Sequence, residues 1–444
     1  MLIDMPAGAE KIIKRLRRAG FEAYAVGGCV RDCLMGRVPG DWDITTDARP
    51  DKVKALFAGS KMIDIGERHG TIAIKSGDKY FEVTTFRVDG LYGDGRRPDT
   101  VSFTNNLRED LSRRDFTVNA MAYSHETGLV DYFGGHKDIT NRTIRCVGDA
   151  NQRFDEDYLR IMRAYRFSAT LDFEVAGDVR QAALLGKNKL WHIAVERLQT
   201  EFAKLVVSNH FERIDVFFED CGDVLFPEIA VLRGFRQDTP YHCFDVYRHT
   251  LEVMRQLPPD LTMRLAGLYH DVGKFKTRTT EEGGRHRFRG HAQAGYEIAK
   301  DVFKKWRLDN NTAQRVLEII KYHSMEIVAD RLELKRLIYK YGEALLADLL
   351  MFQKADNMAK SQLAKDVKLK EVMAAQLVFD EIIASGEPLK ISELAIGGQE
   401  IMRELGIGPS ARVGENLNRL MEEVLKNPEQ NTPERLAALL HSKN

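Results

Sequence analysis

Near residue 150 the spacing of apolar residues changes, and that change limits what this chain can become. Ahead of it, segments with strand character (21–26, 42–45, 71–75, 80–86 and 129–132) alternate with short helical ones (11–18 and 31–35). Beyond it, apolar residues recur at three- and four-residue steps, as in 311–327 and 342–384, and only 12 prolines interrupt the whole chain. The pattern predicts an α+β protein: a small mixed-sheet domain in front and a long all-helical remainder. At 444 residues the chain exceeds one core and calls for two to four domains. No fixed-period repeat and no low-complexity segment is present.

Composition narrows the class. No run of 18 apolar residues occurs, so no membrane span is expected, and the first 20 residues lack the apolar core of a secretion signal. The five cysteines (29, 33, 146, 221 and 243) are scattered, without metal-knuckle spacing, which fits reduced thiols in a cytoplasmic protein. Basic and acidic residues balance at 66 each, so any contact with nucleic acid must come from local clusters such as Arg113-Arg114.

The string Gly27-Gly28-Cys29-Val30-Arg31-Asp32, followed by Asp41-Trp42-Asp43, carries the first chemistry. A glycine pair between strand and helix lets backbone N–H groups approach a triphosphate, and Arg31 is placed to clamp a phosphate. Asp41 and Asp43 at i and i+2 of a strand point to one face, and two hard oxygen ligands side by side suit Mg2+ bridged by substrate phosphates. Either feature alone has a bland explanation, a tight turn or a surface strand; the combination does not. Glu82, in Phe81-Glu82-Val83, is a candidate third acid or simply a solvated strand position. In Arg113-Arg114-Asp115-Phe116-Thr117-Val118-Asn119-Ala120, a charged triplet enters an apolar segment read as a helix, with Asp115 as its cap and the arginines facing a nucleotide.

Five ordered blocks, GGCVRD (27–32), DWD (41–43), RRDFTVNA (113–120), EDYLRIMRAYRF (156–167) and ERLQTEF (196–202), closely resemble the class II tRNA nucleotidyltransferases, the family that also contains bacterial poly(A) polymerases. The resemblance implies a polymerase-β-like head (1–145), a helical neck (146–210), a body (211–375) and a tail that grips tRNA (376–444). It implies nucleotidyl transfer from CTP and ATP to tRNA, with Asp41 and Asp43 holding two magnesium ions, and Gly28, Arg31 and Arg114 on phosphate and sugar. In EDYLRIMRAYRF, Asp157, Arg160, Arg163 and Arg166 fall at three-residue steps, which predicts one helical ridge. The resemblance gives Asp157 and Arg160 the task of reading the base, with Arg163 and Arg166 beside the nucleotide. An acceptor next to a donor matches the pairing edges of cytosine and adenine and mismatches those of uracil and guanine.

The segment 87–99 holds three glycines and alternating charge, the mark of a mobile loop, and resembles the family loop needed to switch from C to A addition. Complete C-C-A addition, A-only addition and poly(A) synthesis all remain open; Glu67-Arg68-His69-Gly70-Thr71 is closer to the tRNA-type members. In the helical remainder, His249, His270-Asp271 and Asp356 stand in the order H…HD…D, with His291 and His323 between them. That set suits a divalent transition metal and resembles an HD-type phosphohydrolase domain. Hydrolysis there, as accessory or principal activity, is the rival reading. The tail string Gly397-Gly398-Gln399-Glu400-Ile401 departs from the family's usual Asp-Leu.

Overall fold

Ala9, Ile12, Ile13 and Leu16 recur at three- and four-residue steps in helix α1 (Ala7–Arg18), and all four are buried. Each of the larger side chains contributes about 1.5–3 kcal/mol by leaving water. That face packs on a β-sheet. The structure, a computed structural model, describes residues 3–66, 70–90 and 100–441. Its chain divides into two compact units, Met1–Pro227 and Glu228–Asn444.

The first unit opens with strands β1 (Ala23–Val26), β2 (Asp43–Thr46), β3 (Met62–Gly66), β4 (Thr71–Ser76), β5 (Lys79–Thr85), β6 (Arg87–Asp89), β7 (Val101–Phe103), β8 (Ala122–Ser124) and β9 (Gly128–Val130). Among the described residues, seven of them form one mixed sheet in the order β3-β4-β5-β2-β1-β8-β9, while β6 pairs with β7. Strands β2 and β5 run parallel, and the other neighbours in that sheet antiparallel. β1 is buried at every position, as expected of a central strand covered on both faces. Helices follow, among them Leu159–Leu171 and Val195–Val206.

Two expectations from the sequence need correction. The segment after Arg113-Arg114-Asp115 is not an apolar helix: Thr117–Asn119 makes one 3-10 turn and the chain then enters β8, whose Ala122 pairs with Val26. Three residues are too few to show a period of two, and long-range pairing with β1 decides the outcome. The remainder beyond 150 is also not purely helical, since Glu174–Val175 pairs with Thr143–Ile144, and Thr279–Thr280 with His286–Arg287. Residues 67–69 and 91–99, most of the glycine-rich loop, lie outside the described residues.

In the second unit, helices Val246–Gln256, Leu261–Tyr269, His291–Lys305, Asn310–Tyr322 and Glu343–Met358 pack on one another. Asp245, Asp260 and Asp309 cap three of them by accepting from a backbone N–H inside the first turn, so the helix starts are written in the sequence. No helix of the described residues is long and apolar enough to cross a membrane.

Candidate active site and a buried histidine cluster

β2 begins at Asp43, directly after Trp42, and the alternation exposed–buried–exposed runs through Asp41, Trp42 and Asp43. Both carboxylates therefore stand on the open face, while Trp42 joins the core. Parallel pairing sets Asp43 opposite Glu82 of β5, also exposed, so the third acid suspected from sequence lands beside the other two. Although Asp43 is open to solvent on one side, the packing around it partly desolvates the carboxyl and raises it above its ordinary range; Arg114 opposes that and Asp41 reinforces it. Glu82 is raised by burial, then by the charges of Asp43 and Asp41. Like charges gathered this way favour a cation.

The glycine turn completes the wall. Gly27 has φ +83°, and a Cβ there would stand 2.8 Å from Nη1 of Arg114. That guanidinium has a buried Nε without a hydrogen-bond partner, and burial lowers its pKa. Its Nη2 lies 4.0 Å from Oδ2 of Asp110, a fully buried acid that accepts from Thr45 Oγ1 (3.1 Å) and from Arg113 Nε (3.0 Å). Asp110 was missed in the sequence, although an acid three and four residues ahead of two arginines is a helical pairing signal. Arg31 is itself buried and donates to Asp32 Oδ1 (2.8 Å) and Asn119 Oδ1 (2.5 Å). Gly28 opens a helix of seven residues, Gly28–Leu34.

The predicted ridge forms only in part. Asp157 stands outside the helix Leu159–Leu171, at φ −146° and ψ 104°; its Oδ1 accepts from Leu159 N (3.0 Å) and its Oδ2 from Arg197 (2.9 Å). A carboxylate next to a helix start caps it, which a three-residue count cannot foresee. Arg160 is buried and donates to Glu156 and to the carbonyls of Arg153 and Arg113. Arg163 holds Asp115 (2.5 and 2.8 Å), and Arg166 holds Glu201 (2.8 Å). Burial pushes the Asp115 carboxyl up, but Arg163 outweighs it and keeps that acid well below the usual range. Arg31, Arg163 and Arg166 all lie over the ring of Phe167. So Asp115 anchors an arginine instead of capping a helix.

The second unit brings its four expected ligands together and adds two. His270 and Asp271 follow Leu261–Tyr269, His249 sits in Val246–Gln256, and Asp356 lies near the end of Glu343–Met358. His249 Nε2 is 3.0 Å from Asp356 Oδ1 and 3.6 Å from Asp271 Oδ2, and His270 Nε2 is 3.1 Å from Asp271 Oδ2. His291 and His323 approach the other oxygen of Asp271. Both acids are held well below their ordinary range: burial opposes this, His270 leads in lowering Asp271, and Lys360 leads in lowering Asp356. Gly273 permits the close packing, since a Cβ there would meet His291 O at 2.1 Å. A cavity of about 890 Å³ opens onto the cluster, lined also by Lys274, Arg285, Arg289, Lys360 and Lys368. Among the described residues, groups of three ligating side chains with all donor atoms within 4.8 Å occur only here, not at Asp41, Asp43 and Glu82.

Comparison with known proteins recognises both regions of the chain. Residues 23–145 match the poly A polymerase head domain and residues 240–369 the HD domain. A CCA-adding enzyme of Streptococcus suis is 33% identical over 94% of this chain and 93% of its own. The chain belongs to the CCA-adding enzyme family. A further member, from Lactobacillus helveticus, is 32% identical over 99% of this chain and 98% of its own. The crystal structure of the Bacillus stearothermophilus CCA-adding enzyme in complex with CTP superposes with a TM-score of 0.74, at 28% identity, covering 98% of this chain and 97% of the other. The two kinds of domain together imply use of divalent metal ions.

Proposed function

We propose that the chain is a tRNA nucleotidyltransferase that adds C, C and A to tRNA 3′ ends from CTP and ATP, with release of pyrophosphate. The observation that carries the reading is the exposed trio Asp41, Asp43 and Glu82 beside the Gly27-Gly28 turn, in a member of the CCA-adding enzyme family. Its donor set, carboxylates open to solvent and not caged, suits Mg2+, which keeps waters and shares phosphate oxygens with a substrate. Magnesium at Asp41 and Asp43 would supply the charge that activates the attacking hydroxyl and neutralises the leaving group. Arg114, with its unpartnered Nε, holds phosphate or sugar. Arg31 and the Gly28 backbone line the same turn.

Asp157 and Arg160 read the base. Arg160 is already oriented by Glu156, and Asp157 keeps one oxygen on the backbone while the other faces Arg197. Arg163 and Arg166, fixed by Asp115 and Glu201, complete the wall around the nucleotide. This assignment goes with the division into head (1–145), neck (146–210), body (211–375) and tail (376–444), and with a cytoplasmic setting, where tRNA and both triphosphates are found. The test is stepwise addition to tRNAs ending at the discriminator base, at C and at CC. Two C and one A, then arrest, are expected. No incorporation would overturn the reading; A on the CC end alone would mean an A-adding enzyme, and unlimited A a poly(A) polymerase.

A second activity is favoured by the buried cluster. His249, His270, Asp271 and Asp356 fit one divalent transition metal, and the basic lining of the adjoining cavity suits a phosphate ester. Hydrolysis of phosphomonoesters or 2′,3′-cyclic phosphates would serve repair of damaged tRNA ends.

A further inference from the structure

Tyr80, Ile63 and Ile65 are large apolar side chains left 45%, 49% and 54% exposed on the seven-stranded sheet. The strand register says which face they share. Ile63 of β3 pairs with Ala73 of β4, Ala73 with Glu82 of β5, and Glu82 with Asp43 of β2. Directly paired residues project from one face, so Ile63 stands on the face of the acids. Tyr80, two residues ahead of Glu82 on β5, shares that face, and Ile65 lies in the bulge between Asp64 and Gly66. On the opposite face Met62, Ile74 and Phe81 belong to the core packing. Lys75 pairs with Tyr80, and its backbone N–H donates to Lys61 O (2.9 Å), which sets two basic residues beside the ring. Among the described residues, no acid forms an ion pair with either lysine, and no ring or cation lies over Tyr80.

In-line geometry decides what approaches from this side. β2 is bordered on one side by β1, whose Val26 pairs with Asp43 and leads into Gly27-Gly28, and on the other by β5. The phosphate-binding turn therefore lies on the β1 side of the acids. The attacking hydroxyl enters in line with the departing pyrophosphate, from the side away from the triphosphate tail. That is the side of Glu82. Beyond it stand Tyr80, roughly 7 Å along β5, and Ile63, roughly 14 Å from Asp43 across the sheet. A stacked strand rises about 3.4 Å per nucleotide, so these distances span roughly two to four nucleotides.

We propose that the β5-β4-β3 part of this face seats the 3′ end of the acceptor RNA. Tyr80 stacks on one of the terminal bases, Ile63 extends the apolar floor, and Lys61 and Lys75 hold phosphates. The inference rests on the nucleotidyl-transfer reading of the acids. An aromatic ring accepts any base, and lysine is a point charge that tracks phosphate without reading sequence. An RNA end that changes with every nucleotide added needs a seat of that kind.

The test is steady-state addition by the full chain to tRNA ending at CC, with the KM for RNA and the KM for ATP measured separately. Tyr80→Ala should raise the KM for RNA roughly tenfold and leave that for ATP within about twofold, and Tyr80→Phe should restore the parent value. Lys61→Ala combined with Lys75→Ala should flatten the dependence of the RNA KM on salt. Tyr80 is nearly half exposed, so its loss leaves the fold standing, which a melting curve checks. An unchanged KM for RNA in Tyr80→Ala, or a rise that Tyr80→Phe fails to reverse, would overturn the seat and leave the transferase reading in place. No incorporation by the parent chain would overturn that reading and the seat with it.

Discussion

The two candidate metal sites are built in opposite ways. In the head, Asp41, Asp43 and Glu82 are exposed and neighbouring but do not bring their oxygens within 4.8 Å of one another, and Asp43 and Glu82 are raised in pKa. In the second unit, the ligands are buried or nearly so, their acids lowered in pKa, and three of the imidazoles fixed by backbone carbonyls. Openness suits a site that must take in a nucleotide and an RNA end and let pyrophosphate leave, and a metal there would arrive with the phosphates. Enclosure suits a site that keeps its metal between turnovers.

Substitutions at four positions would break or sharpen this contrast. Asp43→Ala should reduce nucleotide addition roughly a thousandfold or more, because several kcal/mol of charge stabilisation disappear, and leave the metal content of the second unit unchanged. Folding raises the pKa of Asp43, so its ionised form opposes folding at neutral pH, an opposition that vanishes below the ordinary carboxylate range. Metal-free Asp43→Asn should therefore melt no lower than the parent at pH 7, although it is inactive.

Second in size, His270→Ala should abolish phosphate-ester hydrolysis and any metal binding by the enclosed cluster, yet leave nucleotide addition within about twofold, as expected of independent sites. Next, Gly27→Ala forces a side chain at φ +83° against Arg114. A cost of about 1–3 kcal/mol in stability and a clear rise in KM for CTP should appear in melting curves and steady-state kinetics. The smallest effect is on pH. Since Asp43 and Glu82 take up protons above the ordinary acid range, addition should fall on acidification earlier than for unperturbed carboxylates. Glu82→Gln removes a repelling charge, so the half-maximal point of its acid limb should move to lower pH; no movement would separate Glu82 from the trio.

Sequence reading went furthest where chemistry is local. The Asp41-Trp42-Asp43 alternation states its geometry within three residues, and the H…HD…D order names four side chains that the second unit brings together. It faltered where distant chain segments decide. β8 is a strand because β1 offers it a partner, Asp115 is an anchor because Arg163 reaches it from the helix Leu159–Leu171, and Asp157 leaves the ridge to cap it. The arginines were legible as a cluster, but their partners Asp110 and Glu201 were not, since an acid in a charged stretch looks the same whether solvated or buried.

The most direct measurement is a crystal soaked with Mn2+ and a non-hydrolysable CTP analogue, with anomalous scattering used to place the metal. Density bridging Asp41, Asp43 and the triphosphate, absent when the analogue is left out, is the expected result. Carboxylates turned apart with the nucleotide bound elsewhere, or a head ion equally strong without nucleotide, would contradict it.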